Sequence, residues 1–342
     1  MLYDSNIEFH NVAELIDDGA GEGRLLQRIP EAIRPLLNPT AQAVASCPTH
    51  CELRYVSDAP SVEITLHSEI HHEYVRIYQG DHFQQEICLE PKETRTFKLE
   101  RSPRLIEIAA PSPAFSPKVM RLHLSGTGRV RFLAAQANGG SLRPPTADEK
   151  PALTVLAYGS SITQGSNSPR MANTFLGQTA LRLGVDSINL GFGGSCHCEP
   201  ELGDYIAARQ DWQIALLELG INMLGAKPTI FDEQFRELAS GILEKSSRDP
   251  SRYVLAITLF PASHDLPDAV RPAEPFREIL RELVSKIARP NLRLVEGIEL
   301  LDWNGLTADL CHPSDYGHTI IAERLSAHLK SLPISHLQPL SF

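Results

Sequence analysis

The sequence predicts an α/β protein in two parts: an all-β sandwich over residues 1–145, then a three-layer doubly wound sheet of about five parallel strands over residues 146–342. Three observations point there. Short apolar runs with a period of two fill the first part. Apolar runs separated by helical stretches fill the second. Between them, residues 136–151 are rich in Gly and Pro and poor in large apolar side chains, which reads as a linker.

In the first part the period of two recurs at Val62, Ile64 and Leu66, then at Val75 and Ile77, Ile87 and Leu89, and Phe97 and Leu99. Leu105 with Ile108, Met120-Leu122-Leu124 and Val130 with Phe132 continue the series. Such runs, separated by turn-rich stretches, suit an antiparallel sandwich. Residues 25–37 look helical but are interrupted by Pro30 and Pro35, so they read as an irregular lead-in. In the second part the runs 153–157, 187–190, 214–217, 253–258 and 292–295 have the unbroken apolar character of buried parallel strands. Helical stretches at 174–183, 231–244 and 275–287 lie between them, and a helix over 318–332 closes the chain. Open sheets of this kind bind ligands beyond the C-terminal ends of their strands.

The chain has 342 residues, 42% hydrophobic and 22% charged, which suits a globular protein. Its formal net charge of −10 argues against a nucleic-acid partner and against docking on an anionic membrane. Met1-Leu2-Tyr3-Asp4-Ser5-Asn6 lacks the basic and apolar regions of a signal peptide. No apolar run approaches the roughly 18 residues of a membrane span. A cytoplasmic protein is therefore expected. Its six cysteines (47, 51, 88, 196, 198 and 311) are expected to be reduced thiols.

Four segments that follow or face strand ends carry chemistry-bearing residues. Gly159-Ser160-Ser161-Ile162-Thr163-Gln164-Gly165 sets a serine in a strand-to-helix turn, as a reactive hydroxyl or as a helix N-cap. Asn189-Leu190-Gly191-Phe192-Gly193-Gly194-Ser195 offers backbone N–H groups to an oxyanion, or only a tight turn. Glu218-Leu219-Gly220-Ile221-Asn222 offers a side-chain amide for the same purpose, or a turn asparagine. In Asp309-Leu310-Cys311-His312-Pro313 a carboxylate and an imidazole three residues apart can face one cleft. There Asp309 can orient the ring that takes a serine proton.

Taken together, in the order Ser, Gly, Asn and Asp-x-x-His, these segments resemble the SGNH hydrolase superfamily, also called GDSL-like lipases and acylhydrolases, over roughly residues 150–332. The resemblance implies a flavodoxin-like α/β/α domain in which Ser161 is the nucleophile, His312 its base and Asp309 the residue that orients the base. It further implies an oxyanion hole made by the Ser161 N–H, the Gly194 N–H and the Asn222 side chain, with no metal or organic cofactor. Three features depart from the family pattern. Ser160 stands where Asp is usual, Met223 follows Asn222 where Asp is frequent, and Cys196-His197-Cys198 with Cys311 crowds the site with sulfur and imidazole. The last feature raises zinc binding as a rival, although its spacing matches no common zinc motif. Ser195 is a rival nucleophile, but Gly193-Gly194-Ser195-Cys196-His197 lacks the final glycine of a nucleophile elbow.

The preceding sandwich, jelly-roll-like, resembles arrangements in carbohydrate esterases and in GDSL-like acyltransferases. Arg28-Ile29-Pro30 and Glu52-Leu53-Arg54-Tyr55 look similar to the latter. Tyr55, Tyr74, Tyr78 and Phe83 are candidates for a sugar-binding face, against core or edge packing. The expected function is hydrolysis of short acyl esters of a small metabolite or carbohydrate through an acyl-enzyme on Ser161. Acyl transfer to an acceptor hydroxyl with the same triad is the alternative, and a non-catalytic binding protein on a hydrolase scaffold the remote one. Oligomeric state is not legible.

Overall fold

The computed structural model describes residues 2–107, 114–225, 229–334 and 337. Two antiparallel sheets form the N-terminal sandwich. One has the order Leu2–Asp4, Ile7–His10, Glu52–Ser57, Val119–Leu124, Glu73–Gln79 and His82–Leu89, with Leu142–Arg143 also on Glu52–Ser57. The other has the order Glu14–Ile16, Arg24–Gln27, Val130–Ala137, Val62–Ser68 and Thr94–Leu99. The period of two does the work expected of it. Val62, Ile64 and Leu66 are buried while the residues between them are only partly so, and they meet Phe9, Leu53, Ile77, Leu122 and Phe132 in one core.

The third sheet is parallel, in the order Asp186–Gly191, Thr154–Gly159, Ile214–Glu218, Tyr253–Ile257 and Leu292–Val295. Alternate residues of its strands feed two cores. Leu156 and Tyr158 pack with the helices Pro200–Ala208, Asp232–Ser246 and Glu274–Ile287 on one face. Val155 and Ala157 pack with Phe175–Leu183 and Asp315–Lys330 on the other. Helix Glu274–Ile287 buries Phe276, Ile279, Leu280 and Leu283, an i, i+3, i+4, i+7 stripe. Each such side chain contributes roughly 1.5–3 kcal/mol on burial. Thr174 starts helix Phe175–Leu183 by accepting the Gly177 N–H, and Gly184 ends it in the left-handed region.

Several expectations need correction. The lead-in is not irregular throughout. Arg24–Gln27 is a strand, Pro35 sits in the short 3-10 turn Arg34–Leu36, and Pro39–Val44 is a helix capped by Asn38. Ile29, Leu37, Ala41 and Ala45 from this stretch join the core of the parallel sheet. Leu105 lies in the short helix Pro103–Glu107 instead of a strand, and Ile108 falls outside the described residues. A further helix, Pro200–Ala208, lies between the second and third parallel strands, with Pro200 in its first turn, where a proline starts a helix instead of breaking it. The linker is folded back: residues 136 and 137 finish one strand, and Leu142–Arg143 adds to the other sheet. Among the described residues no helix is long and apolar enough to cross a membrane.

The sandwich is bolted to the parallel sheet through buried polar groups. Arg54 grips Asp186 with two hydrogen bonds of 2.6 and 2.8 Å and also donates to Glu52 at 2.7 Å. Asn11 Nδ2 donates to the carbonyl of Asn189. His50 is fully buried, with Nε2 3.0 Å from Thr174 Oγ1. Burial pushes the His50 pKa down to about 3. Its neutral form therefore favours folding fully above the unfolded value near 6.5, and that contribution is lost as pH falls toward 3. Denaturant titrations at pH 8 and pH 5 check this. The wild type loses stability between the two, and His50→Gln loses less over the same interval.

Candidate active site

The first parallel strand ends at Gly159, and the chain turns at once into the short helix Ser161–Gln164. Ser160 is its N-cap and accepts the Ile162 N–H at 3.1 Å. Ser161 is thus the first helical residue, so its N–H has no acceptor within the helix. Its side chain points to the closing segment of the chain: Ser161 Oγ lies 2.7 Å from His312 Nε2. His312 Nδ1 lies 2.7 Å from Asp309 Oδ2. Nδ1 facing a carboxylate is the donor, which leaves Nε2 as the acceptor for the serine hydroxyl.

Asp309 is held by local geometry. Its Oδ1 accepts the Cys311 and His312 N–H groups, each at 3.0 Å, and the Thr307 hydroxyl at 2.7 Å. Leu310 between them adopts φ +53°, an uncommon left-handed conformation for leucine. Burial raises the Asp309 pKa, but the backbone and ring donors of His312, with Thr307 and Cys311, outweigh it and hold the carboxyl well below its ordinary value. It stays ionised wherever the imidazole works.

Ser161 and His312 open on a cleft of about 930 Å³ that Gly194 and Asn222 also line. Gly194 has φ +68°, which glycine adopts without strain, and among the described residues its N–H meets no protein acceptor. Asn222 spends its carbonyl oxygen on the Cys196 N–H at 3.1 Å, so its NH₂ is the group left over for a ligand. The five residues singled out in the sequence are therefore brought to one place. Ser195 is not among them. It is fully buried, and its hydroxyl donates to the Gly193 carbonyl.

The sulfur cluster separates into two parts. Cys196 and Cys198 are buried in the core beside Tyr158, whose hydroxyl accepts the Cys198 N–H. Burial pushes the Cys196 thiol far up, which keeps it protonated and inert. Cys311 faces the cleft, half-buried, with its pKa pushed up by burial to about 11. Among the described residues, the one group of three whose ligand atoms converge is His72, Cys88 and Glu90 on the sandwich surface, away from Cys196-His197-Cys198. The aromatic candidates do not form a platform. Tyr55 is core, Tyr78 stacks on His123, Arg170 covers the Tyr74 ring, and Phe83, although half exposed, meets Tyr78 edge-on and lies under Arg76.

Sequence reasoning missed part of the wall. Asn38, Pro39 and Thr40 of the N-terminal region line the cleft, with Ile230, Gln234 and His264, beside His197 and Ile221 from the segments singled out in the sequence. No motif marks Asn38, Pro39 and Thr40, because a segment more than 100 residues before Ser161 reaches the cleft only through the fold. Asn38 is fixed by donating to the Ser195 carbonyl at 3.0 Å. Arg28 fixes the same region from below. Fully buried, it donates to the carbonyls of Val44 and Cys47 on its own side and of Asn189 and Gly191 on the other. Replacing it with leucine strands these buried acceptors, each worth about 1–3 kcal/mol when unpaired. Arg28→Leu is expected to lower unfolding free energy by roughly 3–5 kcal/mol in urea denaturation, and an unchanged midpoint would refute this role.

By sequence, residues 157–320 match the model of the GDSL-like Lipase/Acylhydrolase family. No curated protein matches the chain. Among solved structures it is similar to the salicylyl-acyltransferase SsfX3 from a tetracycline biosynthetic pathway, with a TM-score of 0.79 at 17% identity, over 98% of this chain and 97% of that one. It is also similar to a family two carbohydrate esterase from Clostridium thermocellum in complex with cellohexaose (TM-score 0.59, 15% identity, 95% and 98% covered). The acetyl xylan esterase Est2A from the rumen bacterium Butyrivibrio proteoclasticus is a third (TM-score 0.59, 11% identity, 96% of each chain). At such identities the likeness shows the fold.

Proposed function

With residues 157–320 belonging to the GDSL-like lipase/acylhydrolase family, we propose that the chain is a serine esterase that cleaves short acyl esters of a small metabolite or carbohydrate through an acyl-enzyme on Ser161. The observation that carries this is the chain of two 2.7 Å hydrogen bonds from Ser161 to His312 to Asp309, open to the cleft. His312 Nε2 takes the Ser161 proton as Oγ attacks the ester carbonyl. Asp309 holds the ring in the working tautomer and stabilises the imidazolium. The oxyanion is held by the Ser161 and Gly194 N–H groups and the Asn222 amide. Collapse of the tetrahedral adduct expels the alcohol, which takes the proton from His312. Water then adds to the acyl-enzyme by the same route in reverse and releases the acid and Ser161. Each of these steps uses groups that the protein itself supplies.

Acyl transfer is the second reading, and one observation favours it. The salicylyl-acyltransferase superposes over nearly the whole chain with a TM-score of 0.79, against 0.59 for each of the two esterases named above. The chemistry differs only in whether water or an acceptor hydroxyl resolves the acyl-enzyme.

An aryl-ester series from acetate to decanoate tests the proposal. Wild type is expected to cleave short members, and Ser161→Ala to lose about 10³-fold or more in kcat. Asn222→Ala is expected to lose about 10²–10³-fold in kcat with the protein still folded. Asp309→Asn is expected to lose as much or more, because it no longer enforces the tautomer. Cleavage by Ser161→Ala at the wild-type rate would exclude Ser161 as nucleophile. Adding alcohol acceptors and analysing the products separates hydrolysis from transfer.

A further inference from the structure

We infer that Glu218 is a positioning residue for the nucleophile, its buried carboxyl holding the turn that carries Ser161. This rests on the reading of Ser161 as nucleophile.

Glu218 is the last residue of the third parallel strand, next to the strand that leads into the turn. Its Oε2 accepts from the Ser160 N–H at 2.7 Å, the Ser160 hydroxyl at 2.7 Å and the Thr163 hydroxyl at 3.1 Å. Ser160 Oγ in turn accepts the Ile162 N–H. One carboxyl oxygen therefore gathers the residues on both sides of Ser161 while leaving Ser161 itself free for His312. Glu218, Ser160 and Thr163 are each 1% exposed, so water does not compete for these bonds. There is no slack: a Cβ on Gly159 would come within 2.6 Å of Glu218 Oε2 and 2.3 Å of Thr163 Oγ1.

The arrangement is a poor device for stability alone. Among the described residues no Lys, Arg or His pairs with Glu218, and its Oε1 is buried without a protein partner. Burial raises its pKa against the pull of the Ser160 and Thr163 donors. What the carboxyl does supply is one acceptor for three donors whose separation sets where Ser161 stands. Attack on a carbonyl is sensitive to sub-ångström placement of the nucleophile.

Steady-state kinetics on an aryl acetate test it, using Ser161→Ala, Glu218→Ala, Glu218→Gln and Thr163→Val, each checked by circular dichroism and melting. Glu218→Ala is expected to lower kcat about 10²-fold with KM within about threefold, and its labelling by a fluorophosphonate is expected to slow in parallel. Glu218→Gln keeps an acceptor oxygen at the same place and is expected to recover most of that loss. Thr163→Val, which removes one donor, is expected to lose a smaller factor. If Glu218→Ala does not fold, Ser160→Ala with Thr163→Val removes the hydroxyl bonds from the other side and is expected to show the same fall in kcat. Wild-type kcat in folded Glu218→Ala or in that double variant would overturn the inference, as would a rise in KM with kcat unchanged. Should Ser161→Ala remain active, the nucleophile assignment fails. Should it be inactive while Glu218→Ala is not, only the role of Glu218 fails.

Discussion

The site depends on how closely the Ser161 turn packs on the end of the neighbouring strand. A side chain at Gly191 would place its Cβ 2.2 Å from the Gln164 backbone nitrogen, so glycine there is a steric requirement. The same contact is drawn tight by Asn189 Nδ2 donating to the Thr163 carbonyl at 2.7 Å and by the Gly193 N–H donating to Gln164 Oε1 at 2.8 Å. Ser161 and the Gly193–Gly194 turn are thus fixed to one another before any substrate arrives. Preorganised donors of this sort stabilise developing charge without reorganising during the reaction.

That packing also explains why the N-terminal sandwich matters to a site built from the other half of the chain. The strand that bears Gly191 is an edge of the parallel sheet, and its exposed side is met by the sandwich. Arg54 holds its beginning at Asp186, and Asn11 and Arg28 hold its end at Asn189 and Gly191. A charged group this deeply buried is costly unless it is saturated with partners. Arg54 meets three carboxylates, whereas Arg28 meets backbone carbonyls and the face of Phe192. The segment between Arg28 and Cys47 then runs on to supply Asn38, Pro39 and Thr40 to the cleft. The N-terminal part of the chain thereby supplies cleft wall, through a segment that leaves the sandwich and packs on the parallel sheet.

Much of this was legible in the sequence because parallel sheets place function at strand ends. Ser161, Gly194 and Asn222 each follow an apolar run, and Asp309 and His312 sit on the last long loop, so short motifs and the strand-end rule reached the same residues independently. Residues 24–47 were not legible. Pro30 and Pro35 disguise a strand followed by turns, and the burial of Ile29, Leu37 and Ala41 is against a sheet that begins more than 100 residues later. The placement of Cys196 and Cys198 was hidden for a similar reason, since only the fold shows them packed beside Tyr158 in the core. Ser160 could be seen as a departure from the family pattern. That a carboxyl reaches it from Glu218, 58 residues on, could not.

The central claim is that an acyl group passes through Ser161. Mass spectrometry of protein quenched with acid during turnover of a slow aryl ester, followed by peptide mapping, tests it directly. The account predicts an added acyl mass on the peptide containing Ser161, formed and discharged within the turnover time. Turnover with the acyl group on Cys311 or Ser195, or with no acylated protein at any quench time, would contradict it.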